Sequence, residues 1–123
     1  MDKKILEVLT SPPDAALSIV SQGPDGPHLV NSWNSYAITL DNRLLLPAGR
    51  MVKTEENLKN NPQVLLSIAN REVEGKSYKG TGFLVKGLAS FESQGNYFDM
   101  IKEKFPWARA ALVIEITELE QTL

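Results

Sequence analysis

The chain has no cysteine. Disulfides, thiolate nucleophiles, cysteine-ligated zinc and iron–sulfur clusters are thereby excluded. It has one histidine, His28, so a multi-histidine metal site cannot form within one chain. His28 follows a turn at an expected strand start, a place for a surface residue rather than a general base. There is no basic excess: 13 Lys and Arg against 15 Asp and Glu leave a formal net charge of −2. That disfavours nucleic acid as a partner, because a protein that tracks a phosphate backbone carries a positive balance. One local basic pocket remains compatible with it. No apolar run approaches the length needed to span a bilayer. Met1-Asp2-Lys3-Lys4 leads into a short amphipathic segment, not the apolar stretch of a secretion signal. A cytoplasmic protein with no membrane partner is expected, and 123 residues allow a single domain, 1–123, with one core.

Apolar spacing and turn residues give the order of elements. Lys3 to Thr10 is an expected helix, ended by Ser11-Pro12-Pro13. Asp14 to Gln22 is a strand, and Gly23-Pro24-Asp25-Gly26-Pro27 turns it into a second strand from His28 through Tyr36. Ala37 to Leu40 continues extended, Asp41-Asn42 turns, and Arg43 to Pro47 returns. A short helix follows and Pro62 stops it. Gln63 to Ala69 is a buried strand, and Asn70 to Lys79, charged and aperiodic, is an expected loop. The longest strand runs from Phe83 to Phe91, with Gly87 marking a bulge or a close backbone approach. A helix starting at Gly95 or Asn96 presents Tyr97, Phe98, Ile101 and Phe105, and Pro106 ends it. The last strand is Leu112 to Ile116, with a tail from Thr117 to Leu123. Hairpins joined by short helices fit a mainly β fold, a six-stranded antiparallel closed or split barrel with short flanking helices. Such a barrel is too narrow to hold a large ligand inside, so a ligand lies on its outside or between two copies.

Three stretches carry chemistry. In the first, the strand Leu44-Leu45-Leu46-Pro47 runs out into Ala48-Gly49, then Arg50, Lys53 and Thr54 at a helix start. Free N–H groups and the helix dipole make such a start a place for an anion. The plainer alternative is a solvated helix start with Thr54 as its N-cap. Glu55 and Glu56 suit a first turn but would repel a phosphate if they faced it. The second stretch, Asn31-Ser32-Trp33-Asn34-Ser35-Tyr36, is polar without a charge. It is either a solvated edge strand or a wall of amides and hydroxyls that reads a heteroaromatic ring and a sugar-like chain. The third is Phe105-Pro106-Trp107-Ala108-Arg109-Ala110. Trp107 is either a core or interface residue or a surface on which a planar ligand stacks.

These stretches, together with Gln22-Gly23, Asp25-Gly26-Pro27-His28-Leu29-Val30, Met51, Gly80-Thr81-Gly82-Phe83-Leu84, Ala111-Leu112-Val113-Ile114 and Glu120-Gln121-Thr122-Leu123, follow one another along nearly the whole chain. As a series they resemble the flavin-binding split-barrel family that includes pyridoxamine 5′-phosphate oxidase, and within it the branch of small FMN-binding proteins of sulfate-reducing bacteria. The resemblance implies a six-stranded split barrel, a homodimer, and FMN bound near the dimer interface. It implies that Lys53 and Thr54 hold the phosphate and that Asn31, Ser32, Trp33 and Asn34 line the ribityl chain and ring. Ala48 and Gly49 would offer backbone contacts, Thr81 would belong to the same cofactor-binding set, and Trp107 and the terminal Leu123 would approach the flavin at or across the interface. Arg50 stands where the resemblance leads one to expect a second glycine; it either contacts the phosphate or points to solvent. The basic residues that hold the substrate phosphate of a pyridoxamine phosphate oxidase are not identifiable. The implied function is a redox flavoprotein that carries electrons through FMN, with a redox partner protein. The alternatives are a flavin reductase or oxidase with an unidentified small substrate, or a non-redox binder of another phosphate-bearing ligand.

Overall fold

Asp2 opens the first helix, α1 (Lys3–Thr10), by accepting a hydrogen bond from the Lys4 N–H at 2.8 Å. Its apolar face puts Ile5, Val8 and Leu9 into the core. In this computed structural model, which describes residues 1–123, seven strands follow. They are β1 (Ala16–Gly23), β2 (Gly26–Trp33), β3 (Ile38–Leu40), β4 (Arg43–Ala48), β5 (Gln63–Glu74), β6 (Lys79–Glu92) and β7 (Ala110–Gln121). Helix α2 (Val52–Asn60) joins β4 to β5, and α3 (Asn96–Lys104) joins β6 to β7. All pairings are antiparallel, in the order β2-β1-β5-β6-β7-β4-β3.

The two strands at opposite ends of that order, β2 and β3, are consecutive in the chain. Only the segment Asn34–Ala37 separates them, and it contains a single 3-10 turn, Asn34–Tyr36. A sheet whose outermost strands are tied by so short a link has to curl back on itself. The result is a barrel with a seam between β2 and β3, and the seam is where the candidate site lies.

Leu44 and Leu46 enter the main core with Leu17, Ile19, Leu66, Ile68, Val85, Leu112 and Ile114. Leu45 points the other way, into a second cluster with Ile101, Phe105, Ala108, Ala111 and Val113 beneath α3. A strand buried on both faces reads as an unbroken apolar run, which accounts for Leu44-Leu45-Leu46. Gly87 sits at a register shift between β6 and β7, where a Cβ would come 2.7 Å from the Glu115 carbonyl oxygen.

Three expectations need correction. The sheet has seven strands rather than six, because the polar stretch does not stay extended: it breaks after Trp33 and leaves β3 as a separate short strand. The break is held by Asp14, whose carboxylate accepts from the Ser35 N–H at 3.0 Å and the Ser35 hydroxyl at 2.6 Å. Asn70 to Lys79 is not a loop. β5 and β6 extend through it as a hairpin, with Val73 buried and Lys79 paired to Glu72 at 3.3 Å. The last strand continues to Gln121, because β6 is long enough to pair with the whole of it. Both misjudged segments are rich in charge because their outward faces meet solvent.

Candidate functional site

Beyond Ala48 at the end of β4, Gly49 and Arg50 turn the chain, and Met51 adopts a left-handed φ of 55° to launch α2. No side chain caps this helix. Its first bond runs from the Glu55 N–H to the Met51 carbonyl at 2.9 Å. The N–H groups of Val52, Lys53 and Thr54 precede that bond and have no intrahelical acceptor. Thr54 is therefore not the N-cap; it stands inside the first turn. It is fully buried, and its Oγ1 has no hydrogen-bond partner. Burying a hydroxyl without a partner costs about 1–3 kcal/mol, a cost that an acceptor on a bound ligand would offset. Lys53 extends over the same turn and meets Asp25 of the β1–β2 turn at 3.7 Å. Glu56 is exposed. Glu55 is drawn aside by Arg109, at 3.1 Å.

Next to this turn, the seam opens into a cleft of about 270 Å³. Val30, Asn31, Ser32 and Trp33 of β2 form one wall, and Tyr36, Pro47, Gly49, Arg50, Met51 and Trp107 form the rest. Trp33 is 48% and Trp107 54% exposed, so both are walls rather than core. Trp107 is steadied by aromatic neighbours: its ring lies 5.8 Å from Phe105 and 6.0 Å from Tyr36, centroid to centroid. A Cβ on Gly49 would stand 3.3 Å from the Trp107 ring, so glycine lets the turn lie close against the indole.

Of the expected site residues, Asn31, Ser32, Trp33, Gly49, Arg50 and Trp107 meet in the cleft. Lys53 and Thr54 lie in the helix turn that continues from its rim. Asn31 holds a short contact across the sheet, accepting from the Ser18 hydroxyl at 3.0 Å. Arg50 is exposed at the cleft edge. Ala48 is buried, and its carbonyl accepts from the Arg109 N–H at 2.9 Å. Asn34 is a strut: its Nδ2 donates to the carbonyls of Val8 at 3.3 Å and Ala69 at 2.9 Å, while Oδ1 has no partner. Thr81 and Leu123 do not line the cleft of their own chain. Thr81 is buried and accepts from Gln121 Nε2 at 3.0 Å, and the Leu123 carbonyl accepts from the Lys76 N–H at 2.7 Å. Tyr36 and Arg109 were not among the expected residues. Tyr36 reaches the cleft because of the 3-10 turn, which strand alternation does not anticipate. Arg109 acts through the pairing of β4 with β7, which no local signal announces.

The pyridoxamine 5′-phosphate oxidase sequence profile matches residues 1–123. The chain belongs to this family. A protein of Nitratidesulfovibrio vulgaris (strain Miyazaki F), named FMN-binding protein, is 49% identical over 111 residues, which are 89% of this chain and 90% of that one. Among solved structures, HupZ of Group A Streptococcus superposes with a TM-score of 0.80 at 12% identity, covering 99% of this chain and 94% of its own. An FMN-binding protein of Syntrophomonas wolfei gives 0.73 at 15% identity, covering 98% and 85%. At such identities these two likenesses establish the fold, the split barrel of the pyridoxamine 5′-phosphate oxidase family.

Proposed function

We propose that the chain is a cytoplasmic FMN-binding electron carrier that works as a homodimer with the flavin at the seam of each barrel. The observation that carries this reading is the Thr54 hydroxyl, buried without a partner in an uncapped helix turn beside Lys53. A phosphate monoester has the acceptors that this hydroxyl and the free N–H groups require. The adjoining cleft supplies what the rest of the molecule would need: the amide of Asn31 and hydroxyl of Ser32 for a ribityl chain, and exposed faces of Trp33 and Trp107 for a planar ring. The name of the 49% identical relative supports the same ligand.

Bound FMN supplies the redox chemistry. The protein's part is to hold the phosphate with Thr54, Lys53 and the first-turn N–H groups and to keep the ring between aromatic walls. No carboxylate, histidine or lysine lines the cleft. That favours electron passage at an open edge over proton abstraction from a bound substrate.

Support for the dimer comes from the outer face of the sheet. Leu29, Val20 and Leu65 stand in one cross-strand row, and Asn31, Ser18 and Ser67 in the next. Leu29 is 59% and Leu65 39% exposed. The β2-β1-β5 part of this face carries no charge as far as Leu65, beyond which Lys86 pairs with Glu118 at 3.5 Å; an exposed apolar stretch of this kind is a surface that a partner covers. It runs into the β2 wall of the cleft, so a second copy seated there would border the flavin. Leu123, which does not reach its own cleft and is exposed, would then serve the partner's, whereas Thr81 is buried in its own barrel.

Purification followed by an absorbance spectrum and mass identification of the released cofactor tests FMN. Slow or absent flavin reduction by NAD(P)H under anaerobic conditions is expected of a carrier; rapid turnover would make it a reductase. Light scattering that shows a monomer fully loaded with FMN would refute the dimer.

A further inference from the structure

Arg109 reaches back across the sheet to the turn that precedes α2. Its Nε donates to the carbonyls of Gly49 at 2.9 Å and Arg50 at 3.2 Å, and a terminal nitrogen donates to the Arg50 carbonyl as well. The other terminal nitrogen meets Glu55 at 3.1 Å. Its backbone N–H holds the Ala48 carbonyl at 2.9 Å, and the guanidinium rests over the Phe91 ring, 5.6 Å from its centroid. One residue thus fastens both ends of the segment 48–55.

Two physical consequences follow. In a trans peptide, the carbonyl of one residue and the N–H of the next point in opposite directions. With the Gly49 and Arg50 carbonyls turned to the guanidinium, the N–H groups of Arg50 and Met51 point away from it. The clamp also holds the left-handed Met51, which a non-glycine residue adopts at a cost of about 1–2 kcal/mol. The second consequence is electrostatic. Glu55 sits in the first turn of α2, where its charge would oppose an incoming anion. Pairing with Arg109 balances that charge and leaves Lys53 as the cation that counts.

We propose that Arg109 is a positioning residue for the anion site: it orients the turn and neutralises Glu55, and so sets how much the phosphate contributes to ligand affinity. This rests on the reading that an FMN phosphate docks at α2. A fixed fork is needed, because a lysine ammonium cannot serve two carbonyls and a carboxylate in one plane.

The test compares FMN with riboflavin, which lacks the phosphate, by flavin fluorescence titration of the full chain. The wild type is expected to prefer FMN. Arg109→Gln should weaken FMN by roughly tenfold or more while changing riboflavin by less than about threefold, since charge-assisted hydrogen bonds orient the lost donors. Adding Glu55→Gln to Arg109→Gln should restore part of the preference. Arg109→Lys, which keeps stem and charge, should still narrow the preference and serves where the glutamine variant does not fold. Equal loss for both flavins, or no loss, overturns the role of Arg109 and leaves the phosphate site standing. Equal wild-type affinity for the two flavins overturns both.

Discussion

Thr54→Val separates the roles of one atom in the free and the loaded protein. Valine keeps the branched shape and a nearly equal helix propensity, so the change is confined to Oγ1. In the flavin-free protein that atom is buried without a partner. Removing it should therefore relieve about 1–3 kcal/mol. At about 3–5 °C per kcal/mol for a chain of this size, the melting temperature should rise by several degrees. On the proposed reading, the same hydroxyl in the loaded protein would donate to a charged phosphate oxygen, a bond worth about 1.5–3 kcal/mol. Its loss should raise the FMN dissociation constant by about tenfold to 150-fold. Stability and affinity thus move in opposite directions for one substitution. Thermal unfolding of the flavin-free chain reads the first, and fluorescence titration with FMN the second. A variant that melts lower and binds FMN within about threefold of wild type would refute the reasoning, because the hydroxyl would then be satisfied inside the protein.

Lys53→Glu should weaken FMN binding by about a hundredfold or more, since it replaces an attraction by a repulsion at the phosphate; titration at two salt concentrations checks it, and the gap should shrink at high salt. Gly23→Ala places a Cβ within 2.2 Å of the Asn57 side chain, which is buried and bonded to Ser21 at 3.1 Å. Denaturant unfolding should show a loss of about 1–3 kcal/mol from this overpacking. The Asp14 carboxyl is held below its ordinary range, chiefly by the Ser35 hydroxyl and further by the backbone N–H groups of Ser35 and Ala15, with burial opposing. A depressed carboxylate contributes stability above its unfolded pKa and loses it as pH falls through the folded one. Ser35→Ala should accordingly narrow the stability gap between neutral pH and pH values below about 4, measured by denaturant unfolding across that range. Leu29→Glu should convert the proposed dimer to monomer in light scattering, by placing a carboxylate at the exposed apolar end of the Leu29-Val20-Leu65 row, away from Lys86.

Much of this could be read from the chain. Leu44 to Leu46, the turn at Asp41 and the bulge at Gly87 carry their structure locally, through apolar runs, turn chemistry and a missing side chain. The anion turn is legible as a candidate, and its position inside the first turn together with burial distinguishes the Thr54 hydroxyl from an ordinary cap. Other features depend on distant partners. Asn34 looked like a ligand-reading amide, but the carbonyls of Val8 and Ala69 that it bonds come from elements far away in sequence. Asp14 decides where β2 stops by bonding Ser35, so strand propensity alone extends it too far. Charged segments such as Glu72 to Lys79 resemble loops because alternation places the charges outward, and Val73 alone marks the inward side.

The position of β7 has a consequence for how the protein is made. This strand follows all the others in chain order, yet it lies between β6 and β4 and is the strand whose hydrogen bonds join the four strands β2-β1-β5-β6 to the pair β4-β3. A nascent chain that has emerged through β6 therefore holds two sheet fragments with unpaired edges facing each other. Closure awaits the final strand, and long-range pairings of this kind are slow to form. Until then the exposed edges invite pairing with other chains. During synthesis, the interval between the emergence of β6 and of β7 is when the facing edges of β6 and β4 lack their shared partner.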